Sequence, residues 1–77
     1  MAIDLKTLDP ASRKLLSYFK YKHLPAHLQD KSKPFRAFAE WIIETFPSSP
    51  ERTVALRKLL ESKDCAVRSA LPEDPED

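Results

Sequence analysis

The sequence predicts an all-α fold, a short N-terminal helix followed by an antiparallel helical hairpin, and three observations predict it. The 77 residues contain no glycine. Seven prolines mark the edges of segments, where a missing N–H or a fixed φ starts or stops a helix. No stretch alternates apolar and polar residues with the period of a strand.

Asp9-Pro10 has the form of an N-cap followed by proline in the first helical position. It opens a short helix through Ala11, Leu15, Leu16 and Phe19 that is expected to end near Lys20. In the second helix Pro25 marks a start, while Pro34 marks a break or a second start. Phase decides between these. Leu24, Leu28, Phe35, Phe38, Ala39, Ile42 and Phe46 keep one stripe only if the helix runs straight through Pro34, so one helix from about Pro25 to Phe46, kinked at Pro34, is expected. Pro47-Ser48-Ser49-Pro50 supplies the turn, with Ser49 as N-cap and Pro50 opening a C-terminal helix that reaches Leu71. A turn this short between two long helices makes them an antiparallel hairpin. Residues 1–71 then form a single helical domain. Residues 72–77, Pro-Glu-Asp-Pro-Glu-Asp, have no apolar side chain to anchor them and are expected to be a disordered acidic tail.

The C-terminal helix carries a misfit. At 100° per residue, Leu56, Leu59, Leu60, Ala66, Val67, Ala70 and Leu71 share one wide arc, and Arg52 and Lys63 lie within it. Arg57, Glu61, Asp64 and Arg68 share the opposite side, as a face laced with ion pairs or as an anion-binding row. Unpaired burial of a charge is costly, so Arg52 and Lys63 are expected to reach water, an anionic ligand, or carboxylates such as Glu40 or Glu44 across an interface. Lys63 has no acidic residue three or four positions away, so its partner comes from elsewhere.

Composition narrows the function classes. The net charge of +1 hides an asymmetry, because Glu73, Asp74, Glu76 and Asp77 lie in the last five residues. Residues 1–71 hold all 13 Lys and Arg against 8 Asp and Glu, a net of +5, which favours an anionic partner such as a nucleotide or nucleic acid. Cys65 is alone, which closes the intrachain disulfide route. His23 and His27 stand four apart around Pro25 with no third ligand in register, so no metal is expected. No glycine is available for a phosphate loop, and no serine, histidine and carboxylate pattern specifies a triad; catalysis has no support. No apolar run approaches a membrane span, and Met1-Ala2-Ile3-Asp4 lacks the start of a signal peptide, so a cytoplasmic protein without membrane association is expected. A chain this short with neither disulfide nor metal favours self-association. Trp41 and Ile43, about 160° apart on the second helix, add apolar surface on two sides, to be covered by a second protomer or in part by the first helix.

The run Tyr18-Phe19-Lys20-Tyr21-Lys22-His23 interleaves rings with cations at the junction of the first two helices. A ring offers its face to a base while ammonium and guanidinium groups meet phosphate. The competing reading puts Tyr18 or Phe19 in the core and leaves the lysines to solvate a helix end. Arg36 sits on the flank of the second helix, four and eight residues before Glu40 and Glu44. An exposed pair with Arg ahead of Glu is the weaker order and stabilises little, whereas guanidinium suits forked contact with phosphate.

With these residues in view, the chain resembles the small phage-encoded helical sponges that sequester cyclic oligonucleotide signals and so inhibit cyclic-oligonucleotide-based antiphage signalling or, in a related branch, Thoeris defence. The resemblance covers about two thirds of the chain. It rests on Tyr21, the following Leu24-Pro25, a basic residue fifteen positions on at Arg36, and the stretch from Glu51 to Glu61 with a late Arg68. It implies that Tyr21 stacks on a base of a cyclic dinucleotide, with Arg36, at a position commonly lysine in the family, on the phosphate; Lys22, from the run of rings and cations, is a further candidate ligand contact. It also implies that Arg68 serves a separate cyclic trinucleotide site, although Lys63, Asp64 and Cys65 replace aromatic and glycine residues common there. Family members are non-enzymatic and assemble as homohexamers, and a phage-encoded member works in the host cytoplasm. Two rivals remain: a small helical DNA-binding regulator, which would show strong salt dependence, and a helical protein–protein adaptor docking through Trp41.

Overall fold

The computed structural model describes residue 4 and residues 6–71. Among these the fold is all-helical: α1 Pro10–Ser17, α2 Ala26–Thr45 and α3 Pro50–Ser69. The acidic segment 72–77, expected to be disordered, lies outside the described residues.

Both proline-marked helix starts take the expected form. The Asp9 carboxylate accepts from the Ser12 amide at 3.1 Å, and Pro10 occupies the first turn. Ser49 Oγ accepts from the Arg52 amide at 3.0 Å, with Pro50 following. Each cap satisfies one of the amides that a helix start leaves without an intrahelical partner. α2 runs through Pro34 as one uninterrupted helix. The stripe that holds it together includes Leu28, Ala39 and Ile42, all buried, with Phe35 half-buried.

α1 stops at Ser17, three residues before the expected Lys20. The Tyr18 and Phe19 amides donate to the carbonyls of Leu15 and Leu16, each at 3.0 Å, tightening the last turn into i→i−3 bonds. That tightening accompanies complete burial of Phe19, which joins Leu15, Leu16, Ala39, Ile42, Ile43 and Leu56 in the core. Burying an aromatic or leucine side chain of this size is worth about 1.5–3 kcal/mol, more than a further turn of exposed helix would add.

Two parts of the apolar pattern are not covered as the stripes imply. Phe38 and Phe46 lie on the α2 stripe but are exposed, along with Trp41. Ile43, on the other side of α2, is buried; α1 and the segment before it take that side, so α1 covers part of the surplus apolar surface. On α3 only Leu56 of the apolar arc is fully enclosed, while Ala66 and Leu71 are exposed. Among the described residues no helix is long and apolar enough to cross a membrane.

Arg52 resolves half of the α3 misfit within the chain. Its side chain is buried, and its two terminal nitrogens hold all three helices. Nη1 donates to the carbonyls of Ile43 at 3.3 Å and Phe46 at 2.8 Å, at the C-terminal end of α2. Nη2 donates to Asp9 Oδ1 at 2.7 Å and Ser12 Oγ at 3.0 Å, at the N-terminal end of α1. Lys63 resolves the other half: Nζ donates to the Tyr18 carbonyl at 2.7 Å, at the C-terminal end of α1, and lies 6.0 Å from the Phe19 ring centroid. Within the chain the partners are therefore Asp9 and a helix-end carbonyl. On the outer face of α3, Glu61 pairs with Lys58 at 3.7 Å in place of Arg57.

Candidate functional site

The α1–α2 connector, residues 18–25, forms one wall of a cleft of about 530 Å³ lined by Lys20, Tyr21, Lys22, His23, Arg36 and Glu40. Its volume is within the range of ligand sites, about 300–1,000 Å³. Two features hold the connector in place. The Leu24 amide donates to the Tyr21 carbonyl at 3.0 Å, closing a turn around Lys22 and His23. From α2, Gln29 Nε2 donates to the carbonyls of Leu24 at 2.8 Å and Lys22 at 3.2 Å. The backbone at Tyr21 and in the residues that follow it is thus held, and Tyr21 is half-buried.

The opposite wall comes from α2. Arg36 and Glu40, one turn apart, meet through Nε and Oε2 at 3.4 Å, the surface ion pair that their spacing allows. Arg36 Nη1 also donates to the Leu16 carbonyl at 3.4 Å, so the guanidinium helps to terminate α1 as Lys63 does at Tyr18. Both contacts are long, and Nη2 has no protein acceptor among the described residues. Lys20 and Arg36 also border a smaller cavity of about 170 Å³ with Arg13, which extends the cationic surface beyond the cleft. The site therefore presents a half-buried tyrosine, several cations with free N–H groups and one carboxylate.

Of the residues singled out from the sequence, Tyr21, Lys22 and Arg36 come together in this cleft. Arg68 does not join them: it is exposed on α3, where Nη2 approaches Cys65 Sγ at 3.4 Å. The paired rings of the connector separate, Phe19 entering the core and Tyr18 remaining exposed. Sequence reasoning passed over Gln29, whose role rests on carbonyls that only the folded connector presents. It weighed Glu40 as a partner for cations, for Arg36 on its own helix or for Arg52 and Lys63 across an interface, and not as a ligand contact.

A second, apolar cavity of about 410 Å³ lies where α2 meets α3, bordered by Phe38, Trp41, Ile42, Phe46 and Ala55. The Trp41 ring meets Phe38 edge-on at 5.4 Å and Phe46 at 5.6 Å between centroids. About half the surface of each of these rings is open.

Comparison with protein-family models, curated proteins and solved structures gives no match.

Proposed function

We propose that the chain is a non-enzymatic sponge that binds cyclic oligonucleotide signals, cyclic dinucleotides foremost, and blocks antiphage signalling by sequestering them. The observation that carries the reading is the cleft: Tyr21 and Arg36, fifteen residues apart in sequence, line the same space as Lys20 and Lys22. A base stacked on the Tyr21 ring leaves its phosphates among those cations, with Arg36 Nη2 and the lysine ammonium groups as donors. Sequestration requires affinity and abundance, and no bond in the ligand has to break. Arg68, outside the cleft, is assigned to the separate cyclic trinucleotide site that the sponge resemblance implies.

The exposed Phe38, Trp41 and Phe46 rings support assembly of several copies, since an apolar patch of this kind commonly marks an interface. A hexamer is the form that the resemblance implies.

Isothermal titration of the purified protein with a panel of cyclic di- and trinucleotides tests the reading, with light scattering on the same sample for the number of protomers. Binding of a cyclic dinucleotide is expected, and Tyr21→Ala is expected to weaken it about tenfold or more, the value of one base–ring stack. Ligand recovered intact after heating the complex separates binding from hydrolysis. No heat with any member of the panel sinks the proposal, and a strictly monomeric sample removes its assembly component.

A further inference from the structure

Glu40 is electrostatically out of place in a cleft for a polyanion. Its carboxylate faces the same space as Lys20, Tyr21, Lys22, His23 and Arg36, where it repels phosphate and partly neutralises the arginine. The ion pair gives little reason for it. The contact is single and long, Nε to Oε2 at 3.4 Å, both side chains are partly open to solvent, and Arg ahead of Glu is the less favourable order on a helix. Oε1 has no protein donor among the described residues, just as Arg36 Nη2 has no protein acceptor. The pair therefore has one free acceptor and one free donor side by side.

A nucleotide can use both. Its phosphates accept only, so they go to Arg36 and the lysines. Its donors are ribose hydroxyls and base edges, and among the bases guanine alone sets two donors next to each other, N1–H and the N2 amine. That spacing matches the two oxygens of one carboxylate. Adenine places its single amine between acceptor nitrogens, which a carboxylate repels. Resting on the nucleotide reading of this cleft, we propose that Glu40 is its specificity-determining residue: it reads the Watson–Crick edge of a guanine stacked on Tyr21, so that the preferred ligand carries guanine.

Titrations with cyclic di-GMP, cyclic di-AMP and cyclic di-IMP, which lacks the exocyclic amine, test this on the wild-type chain and on Glu40→Gln. A matched two-donor contact discriminates by roughly tenfold or more. The wild type is expected to bind cyclic di-GMP tighter than cyclic di-AMP by at least that factor, and tighter than cyclic di-IMP by several-fold. Glu40→Gln is expected to bring cyclic di-GMP and cyclic di-AMP within about threefold of each other, because an amide offers guanine one acceptor and one repelling donor. Equal binding of the three ligands by the wild type, or an unchanged ratio in Glu40→Gln, overturns the role of Glu40 and leaves the sponge reading standing. If none of the three binds, the cyclic dinucleotide reading falls and the guanine preference falls with it. Equal wild-type affinity for cyclic di-GMP and cyclic di-IMP overturns the role of Glu40 even if the variant does not fold.

Discussion

Arg52 and Arg36 each reach from a longer helix toward α1, yet their surroundings are opposite. Arg52 is enclosed and directs four N–H groups at four acceptors between 2.7 and 3.3 Å on the two other helices and the residues that end them. Arg36 makes two contacts at 3.4 Å and lines an open cleft with one terminal nitrogen free. A guanidinium whose two terminal nitrogens are spent on acceptors inside the protein, with its Nε buried and without a partner among the described residues, is a structural joint. One with donors left over beside a half-buried tyrosine and two lysines is available to an incoming anion. Position on the helical wheel agrees with this difference, since the residue on the apolar arc is the structural one and the residue on the flank lines the cleft.

Substitution by methionine, which keeps most of each side chain's apolar bulk, breaks the comparison most sharply. Arg52→Met leaves Asp9, Ser12 and the carbonyls of Ile43 and Phe46 without their donor. Loss of four hydrogen bonds from a buried guanidinium, two of them to helix-end carbonyls and two to Asp9 and Ser12, costs about 3 kcal/mol or more, a large share of what a core this small supplies. Urea unfolding followed by circular dichroism should show that loss. Arg36→Met removes only long, partly solvated contacts and should change stability by about 1 kcal/mol or less. Equal losses in the two variants would erase the distinction between joint and ligand contact.

That distinction also marks what the sequence could convey. Local chemistry was legible: Asp9-Pro10 and Ser49-Pro50 open their helices, and the phase of Leu28, Ala39 and Ile42 carries α2 through Pro34. The cleft was legible in part, because Tyr21 and Lys22 fall in one run of rings and cations and Arg36 stood out for its poor ion-pair geometry. Long-range partners were not. Arg52 and Asp9 are 43 residues apart, and nothing in either neighbourhood singles out the other. Periodicity also placed Phe38 and Phe46 on a buried stripe, although they are exposed; one helix face can be wider than the surface its neighbours cover, and the wheel shows only the face.

Lys63 tests the comparison at an intermediate strength. Like Arg52 it lies on the apolar arc and holds α1, but through a single bond from Nζ to the Tyr18 carbonyl, with the Asp64 carboxylate 3.9 Å away. Lys63→Met keeps most of the apolar stem but removes the ammonium, and with it one charge-assisted helix-end bond and the cation near the Phe19 ring, a loss of about 1–2 kcal/mol. Hydrogen exchange should place the effect in α1, whose amides lose protection ahead of those in α2 and α3. A uniform loss along all three helices would mean that Lys63 supports the whole core and that α1 has no separate dependence on it.

The smallest effect concerns Asp9, the partly exposed anionic partner of Arg52. The Ser12 amide chiefly, then the hydroxyls of Ser12 and Ser48 and the charge of Arg52, hold its carboxyl below the ordinary value of 3.8, against an opposing contribution from desolvation. A carboxyl lowered by folding binds its proton more readily in the unfolded chain. Its contribution to stability is therefore fully present above the unfolded value and is lost as the pH falls through the lower folded value. Asp9→Asn keeps a side-chain oxygen for the Ser12 amide, since asparagine is also a good N-cap, but removes the group that titrates. The urea midpoint of the wild type should fall as the pH is lowered through and below 3.8, and the variant should lose less of its own midpoint over the same range. Identical acid sensitivity would place the titrating group elsewhere and reduce the Asp9–Arg52 contact to a hydrogen bond whose charge contributes nothing to stability.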